Sequence, residues 1–218
     1  MRNAEKDELE MAAKREAMIN EGFRLFSEKG IENVSMQDVA DACGIGIATL
    51  YRYYKTKLDL VIDIGAYKWK EYGEYVQKNH IDSNPGPFSA AKMFEFYLDF
   101  YIETYKNNKQ LLIFNQYFNN YVIQQHATKE QMAPYNNSIA RYEKLFDMMY
   151  EMAEKDGTIR TDIPKEKMFA TTSHIMLAVG VRFALGVVYA AENEQDRTEE
   201  YELVKKMLMR EYMTDKAL

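Results

Sequence analysis

The sequence predicts an all-α protein of about nine helices, and two kinds of pattern in the chain indicate this fold class. Apolar residues recur at three- and four-residue steps through most of the 218 residues, which is the spacing of amphipathic helices. Capping residues and glycines stand between these stretches, where helices begin and end. The length fits one or two domains with a sizeable hydrophobic core.

The segment 35–57, with the sequence SMQDVADACGIGIATLYRYYKTK, predicts two short helices joined by a tight turn. Ser35 is a good N-cap, and Asp38 stands at the spacing of a capping box. Gly44 suits the left-handed backbone at which a helix stops. Leu50 and Tyr54 then share one face of a second helix over 47–54. This arrangement is that of a helix-turn-helix.

The polar residues of the second helix favour contact with DNA. The stretch 44–58 contains no acidic residue, while Arg52, Lys55 and Lys57 are basic and Thr49, Tyr51 and Tyr53 add hydroxyl groups. Such side chains contact phosphates and position a helix in the major groove. The alternative is an αα-hairpin whose polar residues only face water.

The same stretch resembles the DNA-binding domain of the tetracycline-repressor (TetR) family, with a match over about 14–64. The features that carry the resemblance are the Phe-x-x-Lys-Gly end of the first helix at 26–30, Ser35, Val39-Ala40, Gly44, Leu50-Tyr51, Tyr54 and Lys57-x-x-Leu60. Three positions depart from the family pattern. Gly46 stands where the family usually has Ser or Thr, Ala48 stands where it often has Gly, and the apolar Ile47 stands where a polar residue is common.

The resemblance implies a DNA-binding domain of three helices, followed by a helical ligand-binding and dimerisation domain. We place the first domain, with its leader, at 1–55 and the second at 56–218. The implied DNA contacts divide into phosphate and base contacts. We assign Ser35, Tyr51, Tyr53 and Lys57 to phosphates, and we place Ala48, Thr49 and Arg52 nearest the bases. Gly46 and Ile47, at the start of the second helix, complete the predicted DNA-binding set.

The charge distribution agrees with a nucleic-acid-binding head on an acidic body. The net charge is −6, yet the segment 14–57 has seven basic against six acidic residues. The rest of the chain is therefore near −7. One cysteine excludes an intramolecular disulfide, and 1–16 lacks the apolar core of a signal peptide. We expect a cytoplasmic protein.

Two long helices flank the helix-turn-helix. The first is predicted over 13–29, after a frayed or helical leader, with Ala17, Phe23 and Phe26 on its buried side and Gly30 after its end. The second begins at Thr56, which has Asp59 at capping-box spacing, and runs to about residue 79 before the loop 82–87. Because it starts beside Lys57, we expect it to link head and body mechanically.

Residues 88–150 hold fifteen of the twenty-eight Phe and Tyr residues. Helices are predicted over 89–107, 109–125 and 135–155, with 126–134 as a loop. Plain core is the usual role of such aromatic stripes, but many Tyr and Met residues together also suit an apolar pocket with a few polar groups. The TetR resemblance implies an inducer pocket in this region. Candidate lining residues are Phe94, Tyr97, Tyr101, Phe114, Phe118, Tyr142, Phe146 and Met149. We expect Glu95, Asp99, Glu103 and Glu143 to face solvent.

Two helices are predicted at the end of the chain, over 165–192 and 198–213, with Asp162 as the cap and Pro164 in the first turn of the former. The apolar run 175–191 is shorter than a membrane span needs and contains Arg182, so a buried helix is the better interpretation. Nothing remains in the chain to cover both helices. The resemblance implies that they pair with the same helices of a second chain, so that a homodimer binds a palindromic operator.

The sequence offers no support for an enzyme. It has no nucleophile elbow or phosphate-binding loop, and its three histidines lie far apart. We therefore expect no catalytic residue, no metal, no cofactor and no membrane partner. The resulting hypothesis is a transcriptional repressor that a small hydrophobic or aromatic molecule releases from double-stranded DNA. Two alternatives stay open: a small-molecule binding protein with a merely structural helix-turn-helix, and a regulator without an inducer.

Overall fold

The computed structural model of the chain describes residues 4–76, 78, 88–186 and 196–217, with the side chains of 4–7 outside that description. Within these ranges the protein has nine α-helices and a short C-terminal 3-10 helix, and an isolated bridge between Ile159 and Met213 is its only strand-like pairing. The helices are α1 (Ala4–Lys29), α2 (Met36–Ala42), α3 (Ile47–Tyr53), α4 (Lys57–Val76), α5 (Ala90–Asn107), α6 (Lys109–Gln124), α7 (Lys129–Asp156), α8 (Lys165–Leu185) and α9 (Thr198–Tyr212). The predicted all-α fold class is confirmed.

The described residues form two compact units. Unit 1 comprises residues 1–71 and 114–138, and unit 2 comprises residues 72–113 and 139–218. Helices α4, α6 and α7 contribute residues to both units. The division at residue 55 concerns function, and it stays a prediction.

Unit 1 is built around α1 and the helix-turn-helix. Ile19, Phe26, Val39 and Leu50 are fully buried in its core. The prediction that Ala17 faces the core is wrong, because Ala17 is exposed and Met18 is buried instead. Helix α1 also begins at Ala4, so the leader extends this helix.

Two predictions about helix starts are wrong for local reasons. Helix α7 begins at Lys129, because Thr128 and Gln131 form a reciprocal capping pair and Pro134 is accommodated inside the helix. Asp162 does not cap α8, since its carboxylate is held by Arg160 at 2.6 Å, and Pro164 occupies the N-cap position. The capping boxes at Ser35 and Thr56 are both confirmed.

Unit 2 packs α5 against α8 and α9. Phe94, Tyr105, Phe146 and Tyr201 are fully buried in its core. An added Cβ at Gly180 would lie 2.7 Å from the hydroxyl of Tyr201, which donates to the carbonyl of Met176. The small residue at this position of α8 therefore admits α9 of the same chain.

Helix α8 is only partly buried in the single chain. It is long and apolar enough to cross a membrane by length and composition, and 28% of its most apolar window is buried. The interpretation of α8 as a buried helix thus holds for one face only, which includes Met168, Thr172 and Met176. The predicted end of this helix, the loop at 82–87, the end of α4 near residue 79 and His80 lie outside the described residues.

Candidate DNA interface and ligand cavity

The helix-turn-helix is fixed by backbone capping at each end of α2. The Ser35 amide donates to the Asp38 carboxylate at 2.7 Å, and the Asp38 amide donates to the Ser35 hydroxyl at 3.1 Å. Gly44 takes φ +64, and the Ile45 amide donates to the Ala40 carbonyl across the turn. These local interactions set where α2 begins and where it ends.

The residues predicted to touch DNA are all at least partly accessible. Tyr51 is half exposed, and the Arg52 guanidinium lies 3.4 Å from the Thr49 hydroxyl on the same helix. Ser35, Gly46, Ala48, Tyr51 and Arg52 are exposed, while Ile47, Thr49, Tyr53 and Lys57 are partly buried. Their contacts with DNA stay predictions. The Ser35 hydroxyl donates to Asp38 at 2.7 Å, so a phosphate contact would require it to leave that carboxylate.

Lys57 lies in an aromatic environment at the start of α4. Its ammonium is 5.4 Å from the ring centre of Tyr121 and 5.9 Å from that of Phe26, within the range of cation–π attraction. Loss of hydration lowers the pKa of Lys57, and the nearby Glu32 and Asp38 oppose that shift. The two rings restrict where the cation can lie, so the predicted phosphate contact is held in place before DNA arrives.

A junction on Asp63, which the sequence did not predict, joins the end of α3 to α1 and α4. The Asp63 carboxylate accepts from the Tyr54 hydroxyl at 2.7 Å and from Arg15 at 2.5 and 3.0 Å. Burial and the hydrogen bond to Asp63 both raise the pKa of Tyr54, so its hydroxyl stays protonated and donates. The one signal in the sequence is an acidic residue inside the apolar stripe of α4.

Unit 2 contains a cavity of about 200 Å³ whose lining is mainly apolar and aromatic. Its walls come from the end of α4, from α5 and from α7. The lining residues are Gly73, Val76, Met93, Phe96, Tyr97, Asp99, Phe100, Glu103, Arg141, Tyr142 and Leu145. The rings of Phe100 and Tyr142 lie 4.8 Å apart, and Tyr72 packs on Phe100 at 5.4 Å.

The structure separates the eight residues predicted to bind ligand into three groups. Tyr97 and Tyr142 line the cavity. Phe94, Tyr101, Phe146 and Met149 belong to the buried core of unit 2, while Phe114 and Phe118 pack in unit 1. The sequence did not predict six further lining residues, which are glycine or carry apolar or aromatic side chains: Gly73, Val76, Met93, Phe96, Phe100 and Leu145.

Three hydroxyl groups meet beside this cavity. The Tyr97 hydroxyl lies 2.9 Å from that of Tyr101 and 3.0 Å from that of Ser173 on α8, and the Tyr101 hydroxyl donates to Ser173 at 3.3 Å. Burial raises the pKa of Tyr97 well above its ordinary value, so the cluster stays neutral. Three hydroxyls can satisfy one another in a ring, which explains why these polar groups are buried without cost to the core.

Charged residues also reach the cavity wall. Two of the four carboxylates that were expected to face solvent, Asp99 and Glu103, line the cavity. Arg141 lines it as well, while Glu143 is exposed. The Asp99 carboxylate is 2.5 Å from the ammonium of Lys205 on α9. Sequence spacing could not separate the two faces of α5, because Asp99 and Glu103 sit one turn apart beside the apolar stripe.

The outer faces of α8 and α9 form an apolar surface. Leu203 and Met207 of α9 are more than half exposed, and Leu185 of α8 is nearly half exposed. A shallow groove between the helices is lined by Ala178, Val179, Arg182, Phe183, Glu200, Leu203, Val204 and Met207. Adjacent exposed apolar residues of this kind mark an interaction surface.

Comparison with known proteins agrees with this architecture. Residues 19–64 match the family model for bacterial regulatory proteins of the tetR family. An HTH-type transcriptional regulator of Staphylococcus aureus (strain USA300) is 26% identical over 162 residues, which cover 71% of this chain and 75% of that protein.

Two solved structures share the fold at low sequence identity. One is described as a transcriptional regulator from Saccharomonospora viridis in complex with choline, with a TM-score of 0.70, 16% identity and coverage of 93% of this chain and 99% of that one. A fatty acid degradation regulator from Bacillus halodurans has a TM-score of 0.67 and 14% identity, with coverage of 90% and 94%.

The capped helix-turn-helix, the family match across it and the shared helical fold lead to one conclusion. The chain carries the DNA-binding helix-turn-helix of the TetR family of bacterial regulatory proteins and is a transcriptional regulator.

Proposed function

We propose that the chain is a cytoplasmic, homodimeric repressor that leaves its operator when a small molecule fills the cavity of unit 2. The observation that carries this proposal is the course of one helix. Helix α4 begins at Lys57, beside the recognition helix, and its last turn supplies Gly73 and Val76 to the cavity wall. A ligand that displaces the end of α4 acts on the same helix that begins at Lys57.

The dimer contact is proposed on the outer faces of α8 and α9. The exposed side chains of Leu185, Leu203 and Met207 would be covered by the same helices of a second chain. Two-fold symmetry would then place two recognition helices one DNA turn apart, about 34–36 Å, on a palindromic site. The full chain should sediment as a dimer, and replacing both Leu203 and Met207 by Glu should yield a folded monomer.

Release follows if the ligand favours the state that cannot span the two half-sites. Linkage requires that the ligand bind this state better than the DNA-bound state, typically by about 1–3 kcal/mol. A protein with no such ligand would keep its operator under all conditions. That outcome would leave a regulator without an inducer, with the cavity as a packing defect.

Selection of duplexes from a random pool, at physiological salt, tests the DNA-binding part of the proposal. We expect enrichment of a palindrome with half-sites about one helical turn apart. A non-palindromic winner would contradict the dimer. No enrichment, even after the protein has been unfolded and refolded free of bound small molecules, would contradict sequence-specific binding and support a structural helix-turn-helix.

A further inference from the structure

The charged groups of the cavity wall differ in whether a partner already neutralises them. This inference rests on the proposed function, because it concerns the molecule that the cavity would bind. Asp99 and Glu103 come from α5 and Arg141 comes from α7. A ligand gains most from a charged group that has no partner in the protein, since no existing ion pair must first be broken.

Both carboxylates have partners. Asp99 accepts from the Lys205 ammonium at 2.5 Å, and that ammonium is largely buried. Glu103 accepts from Lys106 at 3.2 Å and from the amide of Asn107 at 2.8 Å. A cationic ligand at either carboxylate would therefore meet a charge that a protein cation already balances in part.

Arg141 is different. In the described part of the chain its guanidinium makes no hydrogen bond or ion pair, although it is only partly exposed. An added Cβ at Gly73 would lie 3.0 Å from the Arg141 Nη1 atom and 2.8 Å from the Tyr142 hydroxyl, so these two polar groups are at most about 6 Å apart. The guanidinium and the phenol therefore both pack close to the Gly73 backbone, at the wall of the cavity.

We infer that the cavity takes a small organic carboxylate with a flat aromatic or compact apolar body. The fork of Arg141 matches the two oxygens of a carboxylate. Phe96, Phe100 and Leu145 offer the apolar wall for the rest of the molecule. Gly73 is needed for this arrangement, because a Cβ there would lie too close to the Tyr142 hydroxyl and the Arg141 side chain and would displace them.

Calorimetric titration of the full-length chain with three matched probes tests this inference. The probes are 1-naphthoate, the neutral 1-naphthamide and the cationic 1-naphthylmethylammonium. We expect 1-naphthoate to bind about tenfold more tightly than the amide, as a charge-assisted hydrogen bond allows, and the cation to bind most weakly.

Variants assign the preference to one side chain. Arg141→Met should abolish the advantage of 1-naphthoate over the amide, and Arg141→Lys should keep part of it. Lys144→Met, which removes an exposed cation from the same helix outside the cavity wall, should leave the advantage unchanged. Thermal unfolding of each variant checks that it is folded.

Several outcomes would overturn the inference. Equal binding of the three probes, tighter binding of the cation, or an anion preference that survives Arg141→Met would each rule out the assigned ligand class. The proposed function would survive those results if another compound released the selected operator. If no probe binds and no small molecule releases the operator, both the ligand class and the inducer-controlled mechanism fail.

Discussion

The DNA-binding head and the cavity of unit 2 differ in what determines their geometry. In the head, hydrogen bonds between residues three or four apart place each helix end, as at Ser35–Asp38 and Thr56–Asp59. In unit 2, residues distant in the chain surround an empty volume, and the absence of a side chain at Gly73 is as important as any ring. Short-range patterns in a sequence therefore describe the head better than the cavity.

The first prediction has the largest expected effect on stability. It tests whether the buried core of unit 2 and the wall of its cavity are made of different residues. Phe94 is fully buried with its ring edge-on to Tyr212, whereas Phe96, two residues on, is partly buried and lines the cavity. Phe94→Ala should lower the free energy of unfolding by about 3–5 kcal/mol in chemical denaturation.

The matched variant Phe96→Ala should cost clearly less stability, because its side chain already borders open space. If Phe96→Ala is as destabilising as Phe94→Ala, the division between core and cavity wall is not the one described.

The second prediction concerns the Asp63 junction, a part of the head that the sequence did not predict. Tyr54→Phe removes a hydrogen bond to a carboxylate and keeps the ring, so the free energy of unfolding should fall by about 1.5 kcal/mol. Affinity for the selected operator should fall as well, because the end of α3 loses its hydrogen bond to Asp63.

The control for the junction is Tyr51→Phe on the exposed face of α3. It should leave stability unchanged and weaken only DNA binding. Equal operator affinity in Tyr54→Phe and the unchanged protein would mean that the junction does not position α3.

The third prediction concerns Lys57. Lys57→Ala should weaken binding to every duplex and reduce the slope of log affinity against log salt by about 1 per protomer, because one phosphate contact is lost. Filter binding across a salt series measures the slope. An unchanged slope would remove Lys57 from the phosphate contacts and leave its two aromatic neighbours as its whole role.

The fourth prediction tests local capping in the head. Ser35→Ala removes the side-chain acceptor at the N-cap of α2 and should cost about 1 kcal/mol of stability. Ser35→Thr keeps a hydroxyl that can both accept from the Asp38 amide and donate to its carboxylate, so it should cost less. A Ser35→Ala protein as stable as the original would show that tertiary packing, and not the cap, fixes the start of α2.

The smallest expected effect is a pH dependence of the same cap. Hydrogen bonds from the Ser35 side chain and amide lower the pKa of Asp38 in the folded protein below its ordinary value of 3.8. The stabilisation is therefore complete above that value and is lost as the pH falls through the folded pKa. Asp38→Asn should flatten this acid limb of the stability curve relative to the unchanged protein, and identical acid limbs would contradict it.

The sequence predicted the locally determined helix ends of the head better than the lining of the cavity in unit 2. The nine helices and both capping boxes were predicted, because their determinants lie within a few residues. The start of α7 differs from the predicted one at residue 135, because Thr128 and Gln131 cap the helix earlier and Pro134 lies inside it. Only Tyr97 and Tyr142 of the predicted ligand set line the cavity, since helical spacing indicates which residues are apolar but not which of them border a void.

The measurement that tests the account most directly is the affinity of a cavity ligand with and without operator DNA. The ligand would be the tightest of the three naphthalene probes, titrated into the free dimer and into the dimer saturated with its selected duplex. Reciprocal coupling predicts that operator weakens probe binding by about 5- to 150-fold. Equal affinities in the two titrations would contradict the claim that the cavity controls the DNA-binding head.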